Sequence, residues 1–425
     1  MTRREKIERR IIGLLILILS TSALVHAGEP AAAVERFVRE CGISPESVAV
    51  KIIDLADGSV TAVHNGSTPL IPASIMKSVT TAALLEECGM DFRYHTAVSI
   101  DGPVDMGIVR GNLVVEGSCD PSLNSREEPI GRDMVAETVE ALRQMGINRI
   151  EGEIVIDESH FAGPSRPESW MAADFAQAYG TGSHGFNFEN NASGSRSVEN
   201  PQMVFRRRLQ SALGKAGIIL DGKDMGVGKR RRVYDHVSPP VDEIMRSCMM
   251  RSDNLFAESM LRTYGSLTGG DGSTAQAAAT ELRRWKEKRM PLEGVVIIDG
   301  SGLSRSNRVT ADFMGAVLSD MSGNPNYASF FPLAGQEGTL RRFLAETPLD
   351  SYIAMKTGSM KGIQCYAGYK LDDDYVPTHV VVIIMNEIRG SRDRARKAAE
   401  RMLLDVFDNV TNTEQDEQRE TEQSA

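Results

Sequence analysis

Apolar residues from Ser47 to Leu55 recur at the spacing of a half-buried strand. Asp57-Gly58 is a hairpin turn signal, and Ser59 to His64 reads as the returning strand. Pro72-Ala73 leads into a helix from Ser74 to Cys88, which Gly89 should end as a left-handed cap. Much later, Met355 to Gly358 precedes an apolar run from Cys365 to Leu371, and Thr378 to Met385 is strongly β-branched. Such runs predict further strands of the same sheet. A final helix is expected from about Ser391 to Phe407. Both ends of the chain therefore build one sheet-and-helix domain, expected over 28–96 and 236–410.

The middle has a different texture. From roughly Ala97 to Asp235, short strands such as Glu153 to Asp157 alternate with helical patterns. One helix is predicted from Met134 to Met145, with Asp133 as N-cap and Gly146 as terminator; another begins at Pro201 behind the N-cap Asn200. Thr181 to Ser197 is rich in Gly, Ser and Asn and reads as a loop between subdomains. We read 97–235 as an insertion of one or two smaller domains, the split falling near 180–197.

The termini bear on compartment. Arg3, Arg4, Lys6, Arg9 and Arg10 precede an uncharged apolar run from Ile11 to Leu19, and Val25-His26-Ala27 offers a cleavage site. That order predicts a secretory signal peptide over 1–27 and a periplasmic mature chain. The apolar run is short of the roughly 20 residues of a membrane span, which weighs against the rival reading, an uncleaved anchor. Peripheral association with the membrane or wall stays open. Removing the signal's net +3 takes the formal charge from -10 to about -13. The segment 411–425 is polar and acidic and reads as a disordered tail. Arg206-Arg207-Arg208 and Lys229 to Arg232 read as solvated faces, and without a basic, aromatic-laced patch nucleic acid is not an expected partner. Cys41, Cys88, Cys119, Cys248 and Cys365 are odd in number and lack metal-ligand spacing, so disulfides and free thiols both remain open. Histidines are scattered, and no metal site or cofactor is expected.

Three short elements carry chemistry. In Ser74-Ile75-Met76-Lys77 the hydroxyl and amine share a helix face, near backbone N–H groups that favour negative charge. An unprotonated lysine could activate the serine as a nucleophile. About one S-x-x-K arises by chance in a chain this long, so the motif alone is weak. Ser252-Asp253-Asn254 lies between a predicted helix from Val241 to Met250 and another from Leu255 to Thr263. Lys356-Thr357-Gly358-Ser359 stands on a predicted strand, where a cation and hydroxyls suit a substrate carboxylate. S-x-x-K, S-D-N and K-T-G in this order form the motif set of class A β-lactamases and penicillin-binding proteins.

From about Ser47 to Asn386 the chain resembles the low-molecular-mass class C penicillin-binding proteins. Asp299-Gly300-Ser301-Gly302-Leu303-Ser304-Arg305 is similar to that family's D-G-S-G-L-S-R. Leu333-Ala334-Gly335 with Gly338-Thr339-Leu340, Val237 to Pro240, and Ser252 to Glu258 also follow its pattern. One departure is Cys119-Asp120-Pro121, where the family tends to have Gly-Asp-Pro, which puts the local turn in doubt. The resemblance implies an α/β (α+β) fold, in which a penicillin-binding/β-lactamase-like transpeptidase domain, an antiparallel sheet flanked by helices, carries the inserted domains. It implies a serine-type D-Ala-D-Ala carboxypeptidase and DD-endopeptidase acting on peptidoglycan stem peptides and inhibited by β-lactams.

Carried residue by residue, the resemblance makes Ser74 the nucleophile, Lys77 its base, Ser252 a proton carrier to the leaving amine, and Asn254 a positioner of substrate and lysine. Lys356, Thr357 and Ser359 would bind the terminal carboxylate, and backbone N–H groups of Ser74 and Ser359 would form the oxyanion hole. Trp170 to Asp174 stands where the family places a pocket for the peptide's diamino acid, an indole packing the alkyl stem and a carboxylate holding the ammonium. The bland alternative is a buried Trp and an exposed loop Asp. A β-lactamase-like hydrolase is the nearest rival, but the stretch between Ser74 and Ser252 is longer than that fold places there. A catalytically weak cell-wall-binding protein of the same fold is the other rival, and the complete motifs count against it.

Overall fold

The computed structural model describes residues 29–129 and 131–407. The expected signal peptide and acidic tail lie outside the described residues. The chain divides into two compact units, one from residues up to Leu70, Thr310–Ala328 and from Leu333 onward, the other from Ile71–Val309 and Ser329–Pro332.

The first unit is built on a five-stranded antiparallel sheet, ordered Ile353–Met360, Ile363–Leu371, Pro377–Met385, Val48–Asp54, Val60–His64. The chain ends meet in its centre, where Val48 pairs with Met385 and Asp54 with His379. Period-2 alternation sends Val48, Val50 and Ile52 to one face, where Phe37 of helix Glu29–Glu40 and Met402 of helix 393–407 join the core. Helix Ala311–Met321 covers the opposite face; a Cβ on Gly315 would stand 3.0 Å from Ile53 Cδ1. Val48–Asp54 is therefore buried on both faces rather than one, because a helix from far along the chain closes the second. Within that layer Lys51 Nζ meets Asp312 Oδ1 at 2.5 Å.

In the second unit helices Met76–Cys88, Val241–Arg251, Asn254–Leu267 and Thr274–Glu287 pack together. A mixed sheet ordered Arg231–Val237, His95–Ile100, Leu113–Glu116, Ile154–Asp157 forms a separate layer with its own core. Helices Met134–Gln144 and Pro201–Lys215 contribute to that core around Phe186, Phe188 and Phe205, whose ring centroids lie 4.9 to 6.3 Å apart. The caps are those expected: Asp133 accepts from Val135 N and Ala136 N, and Asn200 from Met203 N.

One expectation is corrected. Thr181 to Ser197 is not a plain loop: it holds a 3-10 turn, Glu189–Asn191, and a two-stranded ladder of Ala192–Ser193 with Arg196–Ser197. Its asparagines do structural work that composition conceals, since buried Asn191 donates to Gly182 O at 2.9 Å and Asn187 Oδ1 at 2.7 Å. At the position where glycine was the expected residue, Cys119 is buried at φ 62°, its N–H donating to Gly185 O at 2.6 Å. Glycine takes that left-handed conformation without a Cβ clash, which is the physical reason a glycine would suit it. All five cysteines are free.

Candidate active site

Ser74 sits in a 3-10 turn, Ala73–Ile75, directly ahead of helix Met76–Cys88. Ala73 is held at φ 48°, a sparsely populated conformation for a side chain with a Cβ. The opposing loop explains the fit: a Cβ on Gly302 would lie 1.9 Å from Ala73 O, so only glycine lets the backbones approach. One helical turn on, Lys77 is fully buried. Its Nζ lies 3.0 Å from Ser74 Oγ, 2.6 Å from Asn254 Oδ1 and 2.7 Å from Ser301 O. Burial pulls its proton affinity below the usual lysine range, opposed by charge at Cys248, Asp299, Glu258 and Asp253.

Ser252-Asp253-Asn254 is a helix-to-helix corner. Ser252 closes Val241–Arg251 in the left-handed region, φ 60°, and Asp253 caps Asn254–Leu267 by accepting from Phe256 N. Asn254 leaves this corner with both ends of its amide engaged, Oδ1 by Lys77 and Nδ2 on Tyr179 O at 2.8 Å. Among the described residues the half-buried Ser252 hydroxyl makes no hydrogen bond.

The loop behind Lys77 is organised by Asp299. Its carboxylate accepts from Gly302 N at 2.9 Å, Ser304 N at 2.6 Å, Asn307 Nδ2 at 2.7 Å and Trp170 Nε1 at 2.8 Å. Trp170 is thus a buried residue, 4% exposed, with its indole N–H spent on that loop. Asp174 is half-buried and accepts from the Tyr179 hydroxyl at 2.8 Å. Trp170 and Asp174 face different partners.

In the first unit Lys356, Thr357 and Ser359 lie on the sheet's edge strand. Lys356 is fully buried and donates to Thr357 O at 2.8 Å. Thr357 and Ser359 alternate to the other face and line a cavity of about 430 Å³ with Thr339, Arg342, Arg392 and Arg396. Thr357 Oγ1 bonds Thr339 Oγ1 at 2.8 Å, and the Arg392 guanidinium donates to Ser359 Oγ.

The sequence of the D-Ala-D-Ala carboxypeptidase 3 (S13) family matches this chain over residues 31–194 and 188–407. The chain belongs to that family. It is a serine-type D-Ala-D-Ala carboxypeptidase with a penicillin-binding, β-lactamase-like fold. The D-alanyl-D-alanine carboxypeptidase DacB of Haemophilus influenzae is 24% identical over 74% of this chain and 80% of its own length. The crystal structure of penicillin binding protein 4 (dacB) from Haemophilus influenzae superposes with a TM-score of 0.74, covering 86% of this chain and 96% of that one at 22% identity. A penicillin G-acylated predatory endopeptidase of Bdellovibrio bacteriovorus, with an immunity protein, gives a TM-score of 0.56 over 85% of this chain and 93% of its own, at 16% identity.

Among the described residues of this carboxypeptidase, no helix is long and apolar enough to cross a membrane, and no group of three or more His, Cys, Asp or Glu side chains could hold a metal ion. Sequence reasoning left out Tyr179, whose carbonyl anchors Asn254, and Arg392, which reaches Ser359. Neither stands in a motif. Glu258 and Asp299 stood inside family-like stretches without a role, although Glu258 is four residues past Asn254 and so shares its helix face.

Proposed function

We propose that this carboxypeptidase works by acyl transfer through Ser74, and that it also cleaves peptidoglycan crosslinks as a DD-endopeptidase. The contact of buried Lys77 with Ser74 Oγ at 3.0 Å carries this reading. A neutral amine can donate to Asn254 Oδ1 and Ser301 O while its lone pair faces the serine hydroxyl. In the first step Lys77 takes the Ser74 proton as Oγ bonds the carbonyl carbon between two D-alanines. Negative charge moves to the carbonyl oxygen, which backbone N–H groups of Ser74 and Ser359 stabilise. The C–N bond then breaks, and a proton passes through Ser252 to the departing amine. In the second step Lys77 takes a proton from water as the water oxygen bonds the acyl carbon; the C–Oγ bond then breaks, and Lys77 hands that proton to Ser74 Oγ.

Lys356, Thr357 and Ser359 are assigned to the substrate's terminal carboxylate, the cation and hydroxyls supplying charge-assisted hydrogen bonds. Asp174 is assigned to the free ammonium of the diamino acid. Trp170 is assigned to that pocket through the loop it braces, its indole N–H being spent on Asp299. Residues 97–235 form the insertion in this reading. Because the substrate lies outside the cytoplasm, 1–27 act as an export signal and the enzyme works in the periplasm, where peripheral association with the wall or membrane stays open. No cofactor takes part.

β-Lactams mimic the terminal dipeptide and trap the acyl-enzyme. Intact-mass analysis after penicillin treatment is expected to show one adduct on the wild type and none on Ser74→Ala. An adduct that survives the substitution removes Ser74 from the nucleophile's place.

A further inference from the structure

Glu258 is 1% exposed on helix Asn254–Leu267, and its Oε1 accepts the Ser301 N–H at 2.8 Å. Ser301 presents its carbonyl to Lys77 Nζ at 2.7 Å. A single residue therefore separates this carboxyl from the amine. The next acid in the stack is Glu281 of helix Thr274–Glu287, fully buried. Among the described residues, Glu258 Oε2 and both Glu281 oxygens meet no hydrogen-bond partner. The contrast with Asp299 is chemical: that carboxylate has donors from four residues, whereas these two acids draw theirs from Ser301 alone. A buried carboxyl without donors favours its neutral form.

The charged neighbours are few and lie on several elements. Lys77 faces Cys248 from helix Val241–Arg251, Asp253 from the corner, Glu258 and Asp299. Glu258 faces Asp299, Lys77 and Glu281, and Glu281 faces Glu258 and Arg284. Burial first, then the Asp299 charge, raises the Glu258 carboxyl well above the usual range.

We propose that Glu258 is a positioning residue for the reaction: it holds residue 301 against Lys77, and its charge decides how firmly Lys77 keeps a proton. This rests on the reading of Lys77 as the base. With Glu258 neutral, one negative charge fewer faces the amine, burial prevails and the base is free. With Glu258 ionised, the ammonium is stabilised and the base is lost. Burial and the Asp299 charge keep Glu258 protonated and Lys77 competent, and a charge on Glu258, once formed, holds Glu281 neutral in turn. No covalent change occurs at either acid.

The test is the rate constant for acylation by a fluorescent penicillin from about pH 5 to about pH 10, which reports the ionisation of the base in the free enzyme. Glu258→Gln keeps an acceptor for Ser301 N–H but cannot ionise, and should move the acid limb down by about half a pH unit or more, with its plateau preserved. Glu258→Ala also frees residue 301, and should lose about tenfold or more at every pH. Glu281→Gln leaves Glu258 and its contact with residue 301 in place, and should leave the limb within about half a pH unit of the wild type. An unmoved limb in Glu258→Gln, or equal losses for Gln and Ala without a shift, overturns the proposal. Should Glu258→Gln not fold, Glu258→Met, equally unable to ionise, takes its place, and an unmoved limb in it overturns the proposal. Lys77→Ala separates the two assignments. If it still acylates, the base reading fails and takes this proposal with it; if it is dead while the limbs stay put, only the role of Glu258 falls.

Discussion

An exposed lysine holds its proton near neutral pH and cannot serve as a base. Lys77 differs in having no solvent contact and three acceptors around its nitrogen, supplied by residues 74, 254 and 301. Asp174 poses a related question, since its carboxylate already accepts from Tyr179, whose own carbonyl holds Asn254. Reading a substrate ammonium and bracing the Asn254 corner are separable roles. Asp174→Ala should lower catalytic efficiency by about tenfold or more on peptides with a free amine in that pocket, the cost of one charge-assisted contact. Acylation by simple penicillins, which lack the amine, should stay near the wild-type rate. Tyr179→Phe breaks the same hydrogen bond without removing charge, so a shared loss in both assays for both variants would assign Asp174 to support of Tyr179.

At the scale of elements, much was legible from pattern. The Asp133 and Asn200 caps, the strand carrying Lys356, and a glycine at the helix end all follow from local chemistry, although Gly89 stands at φ 71°, ψ −179° rather than in the left-handed helical well. What pattern could not show was contact between turns. Gly302 is an ordinary turn glycine by sequence, yet its missing Cβ leaves room for Ala73 O beside Ser74. Gly302→Ala combines a side chain at φ 79° with a clash at 1.9 Å, and a strained conformation of this kind costs about 1–3 kcal/mol. The Ala73–Ile75 turn must shift to relieve it. Penicillin acylation should fall by about a hundredfold or more, because small displacements of a nucleophile are expensive. Circular dichroism should remain that of the wild type. Wild-type acylation in Gly302→Ala would show that the close approach does not position Ser74.

For the whole molecule, the buried acids behind Lys77 are a stability cost that depends on pH. Burial, then the Glu258 charge, raises Glu281 to about 8, from 4.5 when free. Between those values the folded chain binds a proton that the unfolded chain releases, so stability falls as pH rises from about 4.5 to about 8 and is flat beyond. Each unit of that difference costs about 1.4 kcal/mol. Glu281→Gln should therefore melt higher than the wild type at pH about 9 and much closer to it at pH about 5. Equal melting differences at both pH values would show that Glu281 is ionised in neither window or in both. Such a cost at a buried site is what a functional constraint on Glu258 would leave behind.

Three motifs in order, S-x-x-K, S-D-N and K-T-G, are local strings, and with the flanking family-like stretches they were enough to name the reaction, the candidate residues and the strand-and-helix alternation. Caps and turns were equally legible, because they depend on side chains a few positions from the backbone groups they satisfy. Burial is another matter. Only the packed helices reveal that Lys77 is dry, that Trp170 spends its indole on Asp299, and that Glu258 and Glu281 share one interior. Trp170 and Asp299, for one, stand 129 positions apart in the chain. Proton affinity depends on the distance and hydration of every nearby charge, and those are fixed by tertiary packing rather than by neighbours in the chain.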